Sequence, residues 1–166
     1  MKRFIYLLIV VSTFSCREFN IDEDTSINKS HVPVEKSLIS DDFDFLPTST
    51  TKEVYNRNTY VFSYSEEHEQ SEWVAYYLNK DDVKATNFDR PFFEQDPLVE
   101  SVSADWRNYK KSGYDKGHLC PAGDRKKTLD DYNETFFTSN ISPQLHEFNS
   151  GIWNRLEEKI RYWAVK

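Results

Sequence analysis

Cysteine is scarce in this sequence, and basic residues are outnumbered by acidic ones, 21 to 28. Its 166 residues include two cysteines, Cys16 and Cys120, so a framework of several disulfides is excluded, and a bridge between these two is the one left open. The formal net charge is −7 at pH 7, which at first argues against a nucleic-acid partner because binding to phosphate depends on Lys and Arg. The length suits one small domain, and no internal repeat is visible.

Long apolar runs are also missing. Residues 4–11 are uniformly apolar but too few to span a bilayer. They follow Lys2 and Arg3, and this pattern is typical of an export signal. Residues 13–16 (TFSC) resemble the cleavage box of bacterial lipoproteins. We therefore expect residues 1–16 to direct export, and Cys16 to be acylated and to anchor the protein to a membrane at the cell envelope, on its periplasmic or surface face. The alternatives are secretion after ordinary cleavage and a short anchor helix.

Charge is divided unevenly along the rest of the chain. Residues 17–51 carry three basic and eight acidic residues, whereas residues 104–127 carry seven basic and three acidic ones. Because the first segment has little apolar content, we predict that it is an acidic flexible tether; the alternative is a segment that docks on the domain through side chains such as Phe45. The domain itself is predicted to span residues 52–166.

Alternation of side chains predicts two strands at the start of this domain. Residues 54–64 place Tyr60, Phe62 and Tyr64 on one face, and residues 73–78 are aromatic and apolar. The polar residues between them favour an antiparallel pair. Further along, residues 101–113 are predicted to be loop with one short helix.

The clearest periodicity lies near the end of the chain. Apolar side chains recur at helical spacing over residues 150–165, which predicts an amphipathic helix. They are Ile152, Trp153, Leu156, Ile160, Trp163 and Ala164. Asn149 stands at the predicted N-cap, where a side-chain oxygen is favoured.

Three sequence blocks carry the evidence on function. They are residues 114–122 (YDKGHLCPA), 138–144 (TSNISPQ) and 148–157 (FNSGIWNRLE). In their order and spacing they resemble the ββα-metal (His-Me finger) family of DNA/RNA non-specific endonucleases. An Asp-x-Gly-His motif alone is weak evidence, but three successive blocks are specific.

The resemblance implies an α+β fold of the ββα-metal type, in which antiparallel strands that carry His118 pack on a helix that bears the metal ligand. It covers most of residues 60–166 and none of the acidic tether. Family members continue past this helix into further strands. We therefore expect the fold to be incomplete at the C-terminal side, with sheet edges and apolar faces exposed.

Position by position, the resemblance also implies a set of site residues. His118 matches the general base, and Asn149 matches the side chain that binds the metal, which is Mg²⁺ with Mn²⁺ as a substitute. Glu157 matches a carboxylate that holds a metal-bound water. Asn140 matches an asparagine that supports the site, and Arg90 resembles the upstream arginine that contacts phosphate.

Elementary chemistry agrees with these roles. Histidine has an unperturbed pKa near 6.5, so it is a competent base around neutral pH. Mg²⁺ prefers oxygen ligands and keeps several waters, so one amide oxygen from Asn149 suffices. Glu157 lies eight residues further along the same helix, a rise of about 12 Å, and is therefore expected to act through bound water.

Basic residues near His118 suit a rim that binds phosphate. Lys116 stands where the family usually has arginine, which keeps the charge but loses the bidentate geometry. Lys116 and Arg125 are predicted to contact the DNA or RNA substrate. The alternative is an ordinary hydrated surface.

Together these patterns predict metal-dependent endonucleolytic hydrolysis of DNA and RNA that leaves 5′-phosphates. The competing hypothesis is a truncated, inactive member of the family that binds nucleic acid. Individual residues also have simpler interpretations, since Asn149 is also explained as a helix cap and His118 as a structural histidine. A zinc site formed by His118, Cys120 and His146 is disfavoured because paired-ligand spacing is absent.

Overall fold

The computed structural model describes residues 45–84 and 86–166. The expectations for residues 1–16, for the lipidation of Cys16 and for most of the acidic tether lie outside these described residues and stay predictions. Within the described ranges, no helix combines the length and the apolar character needed to cross a membrane.

An antiparallel sheet in the order β1-β2-β3 opens the domain. Its strands are β1 (Val54–Asn56), β2 (Val61–Ser65) and β3 (Gln70–Ala75). The prediction of one strand over residues 54–64 is wrong, because the chain reverses at a tight turn in which Arg57 N donates to Tyr60 O at 2.8 Å. The predicted antiparallel partner is confirmed, although it lies earlier than expected.

The core forms on the central strand of this sheet. Every residue of β2 is buried, and the predicted aromatic face packs with two apolar side chains from later in the chain. These core residues are Tyr60, Phe62, Tyr64, Val99 and Cys120. Burying such large rings supplies much of the stabilisation of a domain this small.

The second half of the domain contains two antiparallel strands followed by a helix, as the resemblance implied. Strand β4 (Asp115–His118) pairs with β5 (Ile141–Gln144), and the later helix is α2 (Asn154–Ala164). The connection between the strands contains two 3-10 turns and one short helix. These are Ala122–Asp124, α1 (Leu129–Glu134) and Thr138–Asn140. One further 3-10 turn, Trp106–Tyr109, is the short helix predicted in residues 101–113.

The start of the last helix differs from the sequence-based prediction. A wider π-helical turn, Phe148–Trp153, precedes α2, and no side chain caps it. Asn149 lies inside this turn, so its prediction as the N-cap is wrong. Several apolar side chains of the turn and of α2 are exposed. They are Phe148, Ile152, Leu156, Tyr162 and Trp163.

The domain starts earlier than residue 52. The Phe45 ring packs 4.6 Å from the Tyr77 ring, Trp73 Nε1 donates to the carbonyl of Thr48 at 3.3 Å, and Thr51 Oγ1 donates to the carbonyl of Tyr64 at 2.8 Å. The predicted boundary at residue 51 is therefore wrong, and the alternative of a docked segment holds for residues 45–51.

A buried amide joins the elements of the second half. Asn140 is fully buried; its Oδ1 accepts from Cys120 N at 2.8 Å, and its Nδ2 donates to the carbonyls of Cys120 and Thr135 at 2.9 and 2.8 Å. Buried polar groups must find partners. This side chain therefore fixes the backbone just after β4 against the end of α1.

We expect Asn140→Ala to lower the free energy of unfolding by about 3 kcal/mol or more, because three buried backbone groups lose their partners. Urea denaturation followed by circular dichroism measures this change. Asn108→Ala, at an exposed position, is the matched control and should change stability by less than about 0.5 kcal/mol. Equal stability of the two variants would contradict the assignment.

Candidate active site

Strand β4 ends at a pocket of about 260 Å³. Three residues singled out in the sequence, Arg90, His118 and Glu157, line it together although they come from three different parts of the chain. The lining is Arg90, His118, Pro121, Ala122, Gly123, Tyr132, Phe136 and Glu157. The fold thus gathers a cation, an imidazole and a carboxylate around one concave site.

His118 is half-buried at the end of β4. Its ring lies edge-on to Phe136 with ring centroids 5.0 Å apart and is tilted against Phe93 at 5.6 Å. Among the described residues, its Nε2 atom has no hydrogen-bond partner. Burial, reinforced by the nearby Arg90 guanidinium, lowers the pKa of His118 to about 4. The imidazole is therefore neutral at pH 7 and has a nitrogen free to accept a proton.

Two positively charged side chains contact the Phe93 ring beside this imidazole. The Arg90 guanidinium lies 5.4 Å from the centre of the Phe93 ring, and Lys116 Nζ lies 5.2 Å from it. Lys116 and His118 are two residues apart on β4 and so share a face of the strand. Cation–π attraction holds both cations at this ring. The sequence analysis did not identify Phe93, whose position next to the Arg90 segment is the only local signal.

A buried carboxylate anchors the segment that carries Arg90 and Phe93. Asp96 is fully buried and forms an ion pair with Arg57. It also accepts from Ser139 Oγ at 2.5 Å and from Leu98 N at 2.8 Å. A buried charge is tolerated only when it is paired in this way. This pairing holds the segment against the turn that precedes β5.

Asn149 is oriented by a residue that the sequence analysis did not assign. Its Nδ2 donates to Asp115 Oδ2 at 3.0 Å, and His146 Nδ1 lies 2.9 Å from the same oxygen. The bond from Asn149, supported by His146, lowers the pKa of Asp115, so this carboxylate stays ionised. Because the amide nitrogen is engaged, the amide oxygen is the atom left available to a cation.

Glu157 shares its surroundings with Arg161, which the sequence analysis also missed. Arg161 Nη1 lies 2.8 Å from Asp124 Oδ1 and 3.6 Å from Glu157 Oε2. Burial raises the pKa of Glu157, and the Arg161 charge opposes this shift. The i,i+4 spacing of Glu157 and Arg161 on one helix was the signal that could have identified the arginine.

Four predicted residues are absent from the pocket lining, and they are Lys116, Asn149, Asn140 and Arg125. Asn140 supports the site through the backbone after His118, as described above. Arg125 is 1% exposed and donates to the carbonyls of Tyr77 and Asp124, both at 2.8 Å. Its prediction as a substrate contact is wrong, because internal acceptors already occupy its guanidinium.

Comparisons with known proteins agree with this geometry. Residues 44–166 match the family described as DNA/RNA non-specific endonuclease. The mitochondrial nuclease EXOG of Danio rerio is 40% identical over 123 residues, which are 73% of this chain and 36% of that protein. Nuclease C1 of Cunninghamella echinulata is 34% identical over 122 residues, which are 70% of this chain and 48% of that protein.

A solved structure also matches the fold. The crystal structure of the EndoG/EndoGI complex superimposes with a TM-score of 0.65 and 30% identity, covering 72% of this chain and 50% of that one. This match confirms the expected ββα-metal fold. The chain thus spans between about a third and a half of the length of these relatives. On these grounds the chain belongs to the DNA/RNA non-specific endonuclease family.

Proposed function

We propose that this chain hydrolyses phosphodiester bonds within DNA and RNA, with His118 as the general base. The observation that carries the proposal is the neutral His118 ring on the wall of a pocket shared with Arg90 and Glu157. Membership of the nuclease family supports it. A base, a cation for the phosphate and a carboxylate in one pocket are the groups that such a hydrolysis needs.

The chemistry assigned to the chain's own residues is simple. A ring nitrogen of His118 takes a proton from a water molecule as the water oxygen bonds to phosphorus, and the bond from phosphorus to the 3′-oxygen breaks. The departing oxygen takes a proton from a second water molecule, so the products are a 5′-phosphate and a 3′-hydroxyl. The charge of Arg90 binds the phosphate and, after burial, is the second cause of the low pKa that keeps His118 neutral at pH 7.

The residues near Asn149 fit a divalent cation such as Mg²⁺. Asp115 holds the amide so that Asn149 offers its oxygen, and Glu157 would hold the ion through intervening water. The described residues contain no cluster of three or more His, Cys, Asp or Glu side chains suited to a metal, so phosphate and water would complete the shell, which Mg²⁺ accepts and Mn²⁺ tolerates. When bound, the cation would neutralise charge on the phosphate.

The direct test is cleavage of supercoiled plasmid and of RNA by the full chain in the presence of Mg²⁺. We expect His118→Ala to lower the rate by about 100-fold or more, because a general base contributes this much. His68→Ala, at an exposed histidine, is the matched control and should cleave like the unmodified chain. Chelation by EDTA should abolish cleavage.

Other outcomes of this experiment separate the hypotheses. A folded chain that cleaves neither substrate would overturn the proposal. If that chain still bound nucleic acid in the presence of EDTA, the result would support the competing hypothesis of an inactive family member that binds nucleic acid. Full activity of His118→Ala would instead show that His118 is not the general base.

The pKa of His118 also predicts how stability depends on pH. Because the folded pKa of about 4 lies below the unfolded value near 6.5, the unfolded chain binds the extra proton, and stability falls as pH decreases between these values. From pH 7 to pH 5 the chain should lose about 2 kcal/mol more than His118→Gln, which does not titrate. Urea denaturation at the two pH values measures the difference, and parallel losses would contradict a buried neutral imidazole.

Asp115 is expected to act as a positioning residue for Asn149. Asp115→Ala frees the amide to rotate, so the Mg²⁺ concentration needed for half-maximal cleavage should rise about 10-fold or more. Asp81→Ala, at an exposed aspartate, is the control and should leave the requirement unchanged. A lower rate at saturating Mg²⁺ with an unchanged requirement would assign Asp115 a different role.

A further inference from the structure

A second pocket lies beside the candidate active site. It has a volume of about 130 Å³ and is lined by aromatic, proline and polar side chains. These are Pro91, Phe92, Glu94, Asn133, Phe136 and Phe137. Phe136 also lines the larger pocket that contains His118. The two pockets therefore lie side by side, with the Phe136 side chain as a shared wall. We refer to the smaller one as the Phe92 pocket.

Packing within the domain does not explain why the Phe92 side chain is exposed. Its side chain is 90% exposed, although it stands two residues from Arg90. Its backbone is held nevertheless, since Pro91 restricts rotation, Glu94 N donates to the carbonyl of Phe136 at 3.2 Å and Thr138 N donates to the carbonyl of Glu94 at 2.8 Å. The exposed Phe92 ring is therefore presented to solvent by a segment whose backbone is fixed close by, and its face is open to a flat partner.

The rim of the pocket also carries two polar groups available to a ligand. Neither the Glu94 carboxylate nor the Asn133 amide makes a hydrogen bond to another side chain or backbone group in the described part of the chain, and both residues are exposed. A carboxylate repels phosphate but accepts hydrogen bonds from the amino groups of cytosine, adenine and guanine. The occupant that fits is therefore a base rather than a phosphate.

We propose that the Phe92 pocket binds one unpaired nucleobase of the nucleic-acid substrate, next to the nucleotide whose phosphate lies at His118. This inference rests on the proposed function. Phe92 stacks on the base, while Glu94 and Asn133 bind its edge, so bases with an amino group are favoured over thymine and uracil. Because a paired base is stacked inside its helix and cannot enter the pocket, Phe92 favours single strands over duplexes.

The test compares cleavage of a short single-stranded DNA with cleavage of the same sequence in a duplex, using the full chain. We expect Phe92→Ala to lower kcat/KM on the single strand about 10-fold, mainly through KM, and to change duplex cleavage less than about 2-fold. Phe92→Tyr, which keeps the ring, should restore the preference. Tyr162→Ala, at an exposed aromatic of α2, is the matched control. An equal effect of Phe92→Ala on both substrates would overturn the inference.

The edge contact has its own test. The chain should cleave an oligo-dC strand faster than an oligo-dT strand, and Glu94→Ala should reduce this preference by at least half. Equal cleavage of the two homopolymers by the unmodified chain would overturn the selection of amino-bearing bases.

Binding separates this inference from the proposed function. In His118→Ala, fluorescence anisotropy of a labelled single strand should show about 10-fold weaker binding when Phe92→Ala is added. If the unmodified chain cleaves nothing but this loss of affinity is observed, the proposed function fails and the base pocket stands. If cleavage occurs and Phe92→Ala changes neither affinity nor substrate preference, the base pocket fails and the nuclease assignment stands.

Discussion

The hydrogen bonds of the buried Asn140 amide connect the strand that carries His118 to the rest of the domain. Two of them fix the backbone of Cys120, two residues after His118, and the third fixes Thr135 at the end of α1. Phe136, which follows Thr135, is the ring that meets His118 edge-on at 5.0 Å. One side chain therefore sets both the path of the chain that follows His118 and the aromatic wall that buries its ring.

Electrostatics at the site depend on local rather than total charge. The chain carries a net charge of −7, yet Arg90 and Lys116 meet at the Phe93 ring beside His118. A positive field confined to one pocket attracts phosphate even on an acidic protein. Burial, with a further contribution from Arg90, lowers the pKa of His118 to about 4, so the imidazole beside these cations is neutral. Asp96 and Asp124 are buried and are paired with Arg57 and Arg161.

The departures from the expected pattern follow from packing and backbone geometry. The strand predicted over residues 54–64 divides because a short polar run permits a turn, which alternation alone does not reveal. Gly117 shows a second effect of packing. A Cβ at this position would lie 2.1 Å from the Gln144 side chain. A larger residue before His118 would therefore have to displace the Gln144 side chain. The exposed apolar side chains of α2 fit the expectation of open apolar faces.

Spacing within three sequence blocks was sufficient to identify the family, and the resemblance in turn implied the order of two strands and a helix and predicted the roles of His118, Asn149 and Glu157. The tertiary fold sets which distant side chains contact these residues. Arg90 and Phe93 are brought to His118 by the Asp96 anchor, Asp115 orients Asn149 across 34 residues, and Arg125 is withdrawn into the interior. Burial and long-range contacts set the protonation state and the orientation of each side chain. The spacing of neighbouring residues reveals neither the protonation state nor the orientation.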